Sequence, residues 1–284
     1  MRALIAVCLA TITSSLYALS AALQALEARS APADSALRAS LLAGLVRQRV
    51  WLLGGLAGIV GWGLQAVALA LASVSLVQPA LGLGLVVLLF LGGRVLGERV
   101  GPREVAGAVA ITGAIAVLGW AAPSQTGSFT SSGTWAVGVA LPLVALLPYG
   151  LRAVRRAGGL ATSIAAGLGW GWVGLGTALV DVAIADRRFF VALAWGAGVA
   201  IASWSALLSE MTALQAWPAT RAIPVSFGLE MAAPAAVAPF LTHHGFGPLH
   251  GVPFVVALVV ACGGAVAVGG SRSVARAVVP LTEP

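Results

Sequence analysis

The chain has 284 residues, of which 60% are hydrophobic and only 9% are charged. Such a low share of charge leaves too little polar surface to coat a water-soluble globule of this length, so the bilayer must be its solvent. The net charge of +7 comes from arginines at the ends of apolar runs, not from a basic patch with interleaved aromatics. This pattern indicates membrane topology and argues against a nucleic-acid partner.

Apolar runs repeatedly reach the roughly 20 residues that a helix needs to cross about 30 Å of hydrocarbon. Stretches such as LGLGLVVLLFLGG (81–93) are apolar on every face, whereas the strands of a membrane barrel would alternate. We therefore expect an all-α polytopic membrane protein with about nine crossings, the first a retained helix and not a cleaved signal peptide. The predicted spans are 3–25, 51–73, 76–96, 104–122, 135–154, 160–184, 189–208, 214–240 and 252–270.

The segment 34–50 differs from these spans because it carries several arginines and is short. It places Leu37, Leu41 and Leu45 on one helical face. This amphipathic pattern predicts an interfacial helix, and a half-inserted, degenerate crossing is the alternative.

Arginines are concentrated in alternate connectors along the chain. Clusters follow the first, third and fifth predicted spans and the last one, whereas the connectors between them carry few. The positive-inside rule predicts that these clusters lie on the cytoplasmic side, and the expected membrane is the plasma membrane. With an odd number of crossings, the N-terminus is expected outside and the C-terminus inside. Arg187 and Arg188 are exceptions on a predicted outside link, and the link near Glu210 is predicted inside without any arginine.

Two parts of the chain are similar to each other. ALALASVSLVQPA (68–80) is echoed by ALLSEMTALQAWPA (206–219), and GAIAVLG (113–119) by GGAVAVG (263–269). Corresponding helices are an odd number of crossings apart, so the copies would run in opposite directions, as in inverted-repeat transporters. The predicted units are a first repeat (1–122), a linker (123–134), a second repeat (135–271) and a cytoplasmic tail (272–284).

The segment from Leu76 to Leu118 contains a helix, a Gly-Glu-Arg turn at 97–99 and a glycine-spaced helix. In this order of elements the chain resembles the drug/metabolite transporter superfamily, specifically its EamA-like group with two halves of five helices. The resemblance implies a 5+5 plan whose second helix is the degenerate segment 34–50, and nine crossings resemble the NIPA-type magnesium transporter branch. Because members move amino acids, drugs, sugars and nucleotide sugars, the resemblance implies transport without a substrate.

Arg221 and Glu230 lie inside the predicted eighth span. An intramembrane Arg costs about 2.5 to 3.5 kcal/mol on insertion scales, so Arg221 is expected to face a transport pathway, with snorkelling to the cytoplasmic interface as the alternative. Glu230 is expected either to bind a proton or cation, or to be the partner of a polar group on a neighbouring helix. Their spacing puts them on opposite sides of an ideal helix, so they are not expected to pair.

Several prolines and amides accompany these charges. Gln78 before Pro79 and Trp217 before Pro218 occupy equivalent places in the two repeats and would flank a central site. The alternative is proline tolerated in a first helical turn. Gln65 is a candidate cavity-lining amide or an interhelical hydrogen-bonding group. Pro79, Pro218 and Pro224 are the predicted helix breaks.

Other polar and small residues are interpreted structurally. Arg94, Glu98 and Glu104 are read as a surface charge network at a cytoplasmic helix end. GxxxG pairs at 54–58 and 167–171 predict close helix packing. No metal site is expected, because the two cysteines lack ligand spacing and His243, His244 and His250 have no carboxylate cluster nearby.

These features favour a secondary transporter that moves a small metabolite, drug or cation by alternating access. No nucleotide-binding motif is found, so transport would be driven by a gradient, with no cofactor. No HExxH motif or catalytic constellation supports an enzyme. The expected partners are the lipid bilayer, a small-molecule or ion substrate and, as one option, a second copy in a homodimer. The alternative function is a non-transporting assembly partner or a subunit of a lipid-linked-precursor flippase.

Overall fold

The computed structural model describes residues 2–72, 74–121, 130–153, 158–241 and 251–269, and all regular structure in these ranges is helical. A 3-10 helix (Ala33–Ser35) follows the first α-helix. The α-helices are α1 (Arg2–Ser30), α2 (Ala39–Leu45), α3 (Arg49–Leu71), α4 (Val74–Gly82), α5 (Gly84–Arg94), α6 (Pro102–Ala121), α7 (Ser131–Ala153), α8 (Gly159–Ala185), α9 (Phe189–Ala216), α10 (Ala219–Leu241) and α11 (Gly251–Gly269).

Seven of these helices are long and apolar enough to cross a membrane, namely α1, α3, α6, α7, α8, α9 and α11. Their outward faces carry large apolar side chains, among them Trp135, Phe190 and Leu193, which are 76%, 90% and 72% exposed. Water would penalise so much exposed apolar surface, whereas lipid would not. The expectation of an all-α, multi-pass membrane protein is therefore confirmed at this coarse level.

The predicted boundaries of the third, seventh and eighth spans need correction. The span 76–96 consists of two helices, α4 and α5, separated by a turn at Leu83. The predicted link near Glu210 is wrong, because α9 continues through it to Ala216. Residues 209–213 include no proline or glycine that would end a helix. The first helix-breaking residue is Pro218, which follows the end of α9.

The segment 34–50 forms the 3-10 helix and α2, and its last residues begin α3. At about 1.5 Å per residue, α2 is about 10 Å long and is too short to span the hydrocarbon. Leu41, Leu42 and Leu45 are buried against α9, so the predicted apolar face packs on protein. Leu37 has a φ of 53°, and its N–H donates to Thr212 Oγ1 at 3.0 Å.

Glycine pairs let the helices pack closely, as the GxxxG spacing predicts. A Cβ atom at Gly58 of α3 would lie 3.1 Å from Ser20 Oγ of α1. A Cβ atom at Gly171 of α8 would lie 3.0 Å from the carbonyl oxygen of Glu230 in α10, and Gly167 touches the same helix one turn earlier. The packing role of both pairs is confirmed.

Helix α10 lies at the centre of the arrangement. It contacts α1 and every helix from α5 to α11. Its N-terminal turn is surrounded by an apolar layer, because Ala219 and Ala222 are buried together with Leu88 of α5 and Leu214 of α9. Polar groups presented by α10 are therefore within reach of both halves of the chain.

Candidate functional site

Two groups of polar side chains inside the bundle contain its buried ion pairs and carboxylates, and α10 contributes to both. We call the first the terminal clamp; it consists of Arg29, Glu98, Glu104 and Arg221. We call the second the central cluster; it consists of Tyr17, Gln65, Trp170, Glu210 and Glu230. The two groups differ in how their charges are balanced.

In the terminal clamp, Glu98 binds the N-terminus of α10. Its carboxylate accepts hydrogen bonds from the backbone N–H groups of Ala219 at 2.7 Å and Thr220 at 2.9 Å. The same carboxylate pairs with the guanidinium of Arg29 at the end of α1. Gly97, with a φ of 64°, provides the left-handed turn that directs the chain here. An anion at this position satisfies unpaired helix N–H groups and the positive end of the helix dipole.

The second half of the terminal clamp is an ion pair between Arg221 and Glu104. Arg221 Nε and Nη2 donate to Glu104 Oε1 at 3.1 and 3.0 Å. The other oxygen, Oε2, accepts from the backbone N–H of Gly101 at 3.0 Å. The two side chains are only 5% and 1% exposed. This ion pair joins the first turn of α6 to the first turn of α10.

The clamp overturns two sequence-based interpretations. The predicted surface network is wrong, since the side chains of Glu98 and Glu104 are 4% and 1% exposed. Its i, i+4 pairing assumed a continuous helix, whereas α5 ends at Arg94, which lies over the Phe90 ring. Arg221 is in the first turn of α10 and not deep in a span, and Glu104 is its ion-pair partner. Its expected position on a transport pathway therefore gains no support.

The central cluster brings together side chains from α1, α3, α8, α9 and α10. The hydroxyl of Tyr17 donates to Gln65 Oε1 at 2.6 Å, and the indole N–H of Trp170 donates to Glu210 Oε2 at 2.7 Å. Glu230 is on α10, which packs on α1, α8 and α9, and its carboxylate interacts electrostatically with Tyr17 and Glu210. All five side chains are half-buried, so none is sealed in close packing.

The central cluster lies well inside the bundle. The rise of about 1.5 Å per residue separates Tyr17 from Arg29 by about 18 Å along α1, and Glu230 from Arg221 by about 14 Å along α10. Since Arg29 and Arg221 both belong to the terminal clamp, the two distances start from the same end. Tyr17 and Glu230 are therefore about halfway along helices of membrane-spanning length, whereas Glu210 lies closer to the clamp end, six residues before the end of α9.

Charge in the central cluster is unbalanced. Within the described ranges, neither Glu210 nor Glu230 has an ion-pair partner, while the ion pairs of the clamp use Arg29 and Arg221. The same part of the chain contains no group of three metal-ligating side chains. The cluster thus offers two carboxylates, an indole, a phenol and an amide, a set of groups suited to a positively charged ligand.

The remaining predicted site residues have different outcomes. Trp217 packs over Gly159 at the start of α8, away from the central cluster. Pro218 separates α9 from α10, whereas α10 runs through Pro224 without interruption. Gln78 and Pro79 fall within α4, which ends only at Gly82, and their side chains are outside the described part of the structure. His243, His244 and His250 are also outside the described residues.

Three members of the central cluster were not predicted. Glu210 was assigned to a link because the end of α9 was misplaced. Tyr17 and Trp170 were overlooked, although Tyr17 is one of only two tyrosines and lies in a helix otherwise rich in alanine and leucine. Polar aromatic side chains in apolar helices usually need hydrogen-bond partners, and this signal was available in the sequence.

No protein-family model matches the chain, and neither a curated protein nor a solved structure matches it. The seven long apolar helices define the class of the protein, a multi-pass α-helical membrane protein.

Proposed function

We propose that the protein is a secondary transporter and that its substrate or a coupling cation binds at the central cluster. The observation that carries the proposal is the pair Glu210 and Glu230, two carboxylates inside a membrane-spanning bundle without a cationic partner in the described residues. Ionisable groups at such depth are costly and characteristically line ion or substrate paths. Because no nucleotide-binding motif is found, a gradient would drive transport.

Helix packing supports the EamA-like plan with an inverted repeat. In the first half α1 packs on α3, and α4 and α5 pack on α6; in the second half α7 packs on α9, and α10 packs on α11. The last helices of the two halves, α6 and α11, also pack on each other. Helix α8 would correspond to the short segment 34–50 of the first half. Because that segment does not cross the membrane, the plan of five plus five helices gives nine crossings.

The terminal clamp supports the proposed orientation. Its contacts bring together the C-terminal end of α1, the loop 95–101 and the link at 217–218. The first two adjoin the arginine clusters that the positive-inside rule assigns to the cytoplasm. We therefore propose that the clamp end is cytoplasmic, which puts the N-terminus outside in a plasma membrane.

The charges favour a cation over an anion at the central cluster. Arg221, whose charge would suit an anionic substrate, is already paired with Glu104. Two carboxylates attract protons and cations, and aromatic rings such as those of Trp170 and Tyr17 can bind an organic cation. The proposed ligand is therefore a proton, an inorganic cation or an amine-bearing metabolite or drug.

The test is flux through the purified protein in liposomes, using a panel of inorganic cations and amine-bearing metabolites with and without a pH gradient. Glu230→Gln and Glu210→Gln are expected to reduce flux to background. Asp181→Asn, which neutralises an exposed carboxylate near the end of α8, is the matched control and should transport like the parent. Equal flux in the parent and in Glu230→Gln would contradict binding of the substrate or coupling cation at the central cluster. No flux of any solute by the parent would favour a non-transporting assembly partner.

A further inference from the structure

The terminal clamp connects parts of the chain that belong to different proposed repeats. Arg29, Glu98 and Glu104 come from the first half, whereas the N–H groups of Ala219 and Thr220 and the side chain of Arg221 come from the second. Glu98 and Glu104 both bind the first turn of α10, and Arg29 binds Glu98. The clamp therefore fixes one helix end of the second half to the first half.

Directly beside the clamp, the bundle is closed by apolar packing. Ala219, Ala222, Leu88 and Leu214 are buried in one cluster, with Leu91 and Trp217 packed against it. Charged groups at the end and a buried apolar layer next to them would keep water and solutes from the half-buried central cluster further along α10.

We infer that the terminal clamp is a gate between the central cluster and the end of the bundle that holds residues 95–101 and 217–218. The gate opens when the first turn of α10 separates from Glu98 and Glu104. This inference rests on the proposed transport function, because alternating access needs the central cluster to be open to one side at a time.

The construction of α10 suits this movement. One uninterrupted helix carries both the clamp contacts and Glu230, so occupancy of the central cluster and the position of the first turn are mechanically linked. A short link at Trp217 and Pro218 separates α10 from α9. Gly92 of α5 faces Thr220, and Gly167 and Gly171 of α8 face the α10 backbone, so at these three close approaches no side chain stands between the helices.

A disulfide can hold the gate closed. A Cβ atom at Gly92 would lie 3.6 Å from Thr220 Cβ, within the usual range of about 3.5–4.5 Å for disulfides. The variant is Gly92→Cys with Thr220→Cys, in a background in which Cys8 and Cys262 are replaced by Ala. After oxidation, flux in liposomes is expected to fall to background and to return when a reductant is added.

The matched control is a disulfide within the first half. Ser20→Cys with Gly58→Cys has a Cβ–Cβ distance of 3.8 Å and would join α1 to α3, which the inference keeps together. Oxidation of this control should leave flux unchanged. Equal flux of the oxidised and reduced Gly92→Cys/Thr220→Cys protein would overturn the gate.

A second measurement does not depend on flux. Ser226 is 4% exposed and lies on α10 between the clamp and Glu230, so Ser226→Cys reports whether that space is open. In inside-out vesicles, Glu98→Gln is expected to speed labelling of this cysteine by an impermeant maleimide about tenfold, as a shift toward the open state requires. Asp181→Asn should leave the labelling rate unchanged.

Labelling and flux separate the two hypotheses. A parent protein without flux, combined with faster labelling in Glu98→Gln, contradicts transport but keeps a clamp that opens. An unchanged labelling rate in Glu98→Gln, in protein with the parent's size-exclusion profile, contradicts the gate whatever the flux. If Glu98→Gln does not fold, the disulfide experiment decides alone.

Discussion

The terminal clamp and the central cluster use similar side chains in opposite ways, although α10 contributes to both. In the clamp each carboxylate meets an arginine and backbone N–H groups, and little of it remains exposed. In the central cluster Glu210 has an indole donor and Glu230 has only electrostatic neighbours among its described contacts. Charge that is fully partnered holds the bundle together, whereas charge that lacks a counter-ion is available for a ligand.

Position along the helix explains the difference. At the first turn of α10 the backbone N–H groups have no helical acceptors, so an anion such as Glu98 is stabilised there. Around Glu230, in the middle of α10, the backbone N–H groups donate within the helix itself and are not available to a carboxylate. A carboxylate there must obtain its stabilisation from another helix, from water or from a bound cation. The following predictions compare the two regions by stability, from the largest expected change to the smallest.

Arg221→Ala should have the largest effect on stability. It leaves Glu104 buried without its partner, which costs about 3–5 kcal/mol. The measurement is denaturant or thermal unfolding of the protein in detergent. Arg221→Met combined with Glu104→Gln should recover most of the loss, because neither unpaired charge remains. Arg94→Ala is the matched control at an exposed arginine; a cost as small for Arg221→Ala as for Arg94→Ala would contradict the structural role of the ion pair.

Glu98→Ala should destabilise the protein less, by about 1–2 kcal/mol, the range for loss of a helix N-cap together with its favourable charge. Arg29 remains partly exposed, at 29%, and can be hydrated once its partner is gone. Unfolding in detergent measures the change. Glu98→Gln keeps an oxygen acceptor and should fall between Glu98→Ala and the parent, so an order other than this would contradict the capping role.

Trp170→Phe tests the hydrogen bond that reaches Glu210. It removes the indole donor but keeps an aromatic ring, so the free energy of unfolding in detergent should fall by about 0.5–1.5 kcal/mol, the usual contribution of a single hydrogen bond. Flux should fall as well, because Glu210 loses the group that orients it. Trp135→Phe is the matched control at an exposed position, 76% accessible. A flux equal to that of Trp135→Phe would show that Trp170 does not act on the central cluster.

The sequence predicted those parts of the fold that depend on local pattern. The length of apolar runs located most of the helices, Pro218 marked the break between α9 and α10, and the leucines of 34–50 identified the buried face of α2. Each of these signals lies within a few turns of the element it describes. The polar residues Gln65 and Glu230 were likewise singled out because amides and carboxylates are rare in apolar helices.

The terminal clamp could not be predicted in this way. The partners of Glu98 at the start of α10 are more than a hundred residues away in the chain, so local spacing suggested Arg94 instead. Glu210 was missed because hydrophobicity alone did not show that α9 continues past it. Both errors concern which helix ends meet in space, which a single sequence without homologues does not specify.

Glu230→Gln should have the smallest effect on stability and a large one on flux. Neutralising a carboxylate without a cationic partner removes an electrostatic cost, so the free energy of unfolding should change by less than about 0.5 kcal/mol or increase. Flux should nevertheless fall to background, because the ligand loses the charge that attracts it. Flux and unfolding measured on the same preparation separate these effects. Destabilisation comparable to that of Arg221→Ala would mean that Glu230 is a structural partner like the clamp residues, and the contrast between the two regions would no longer hold.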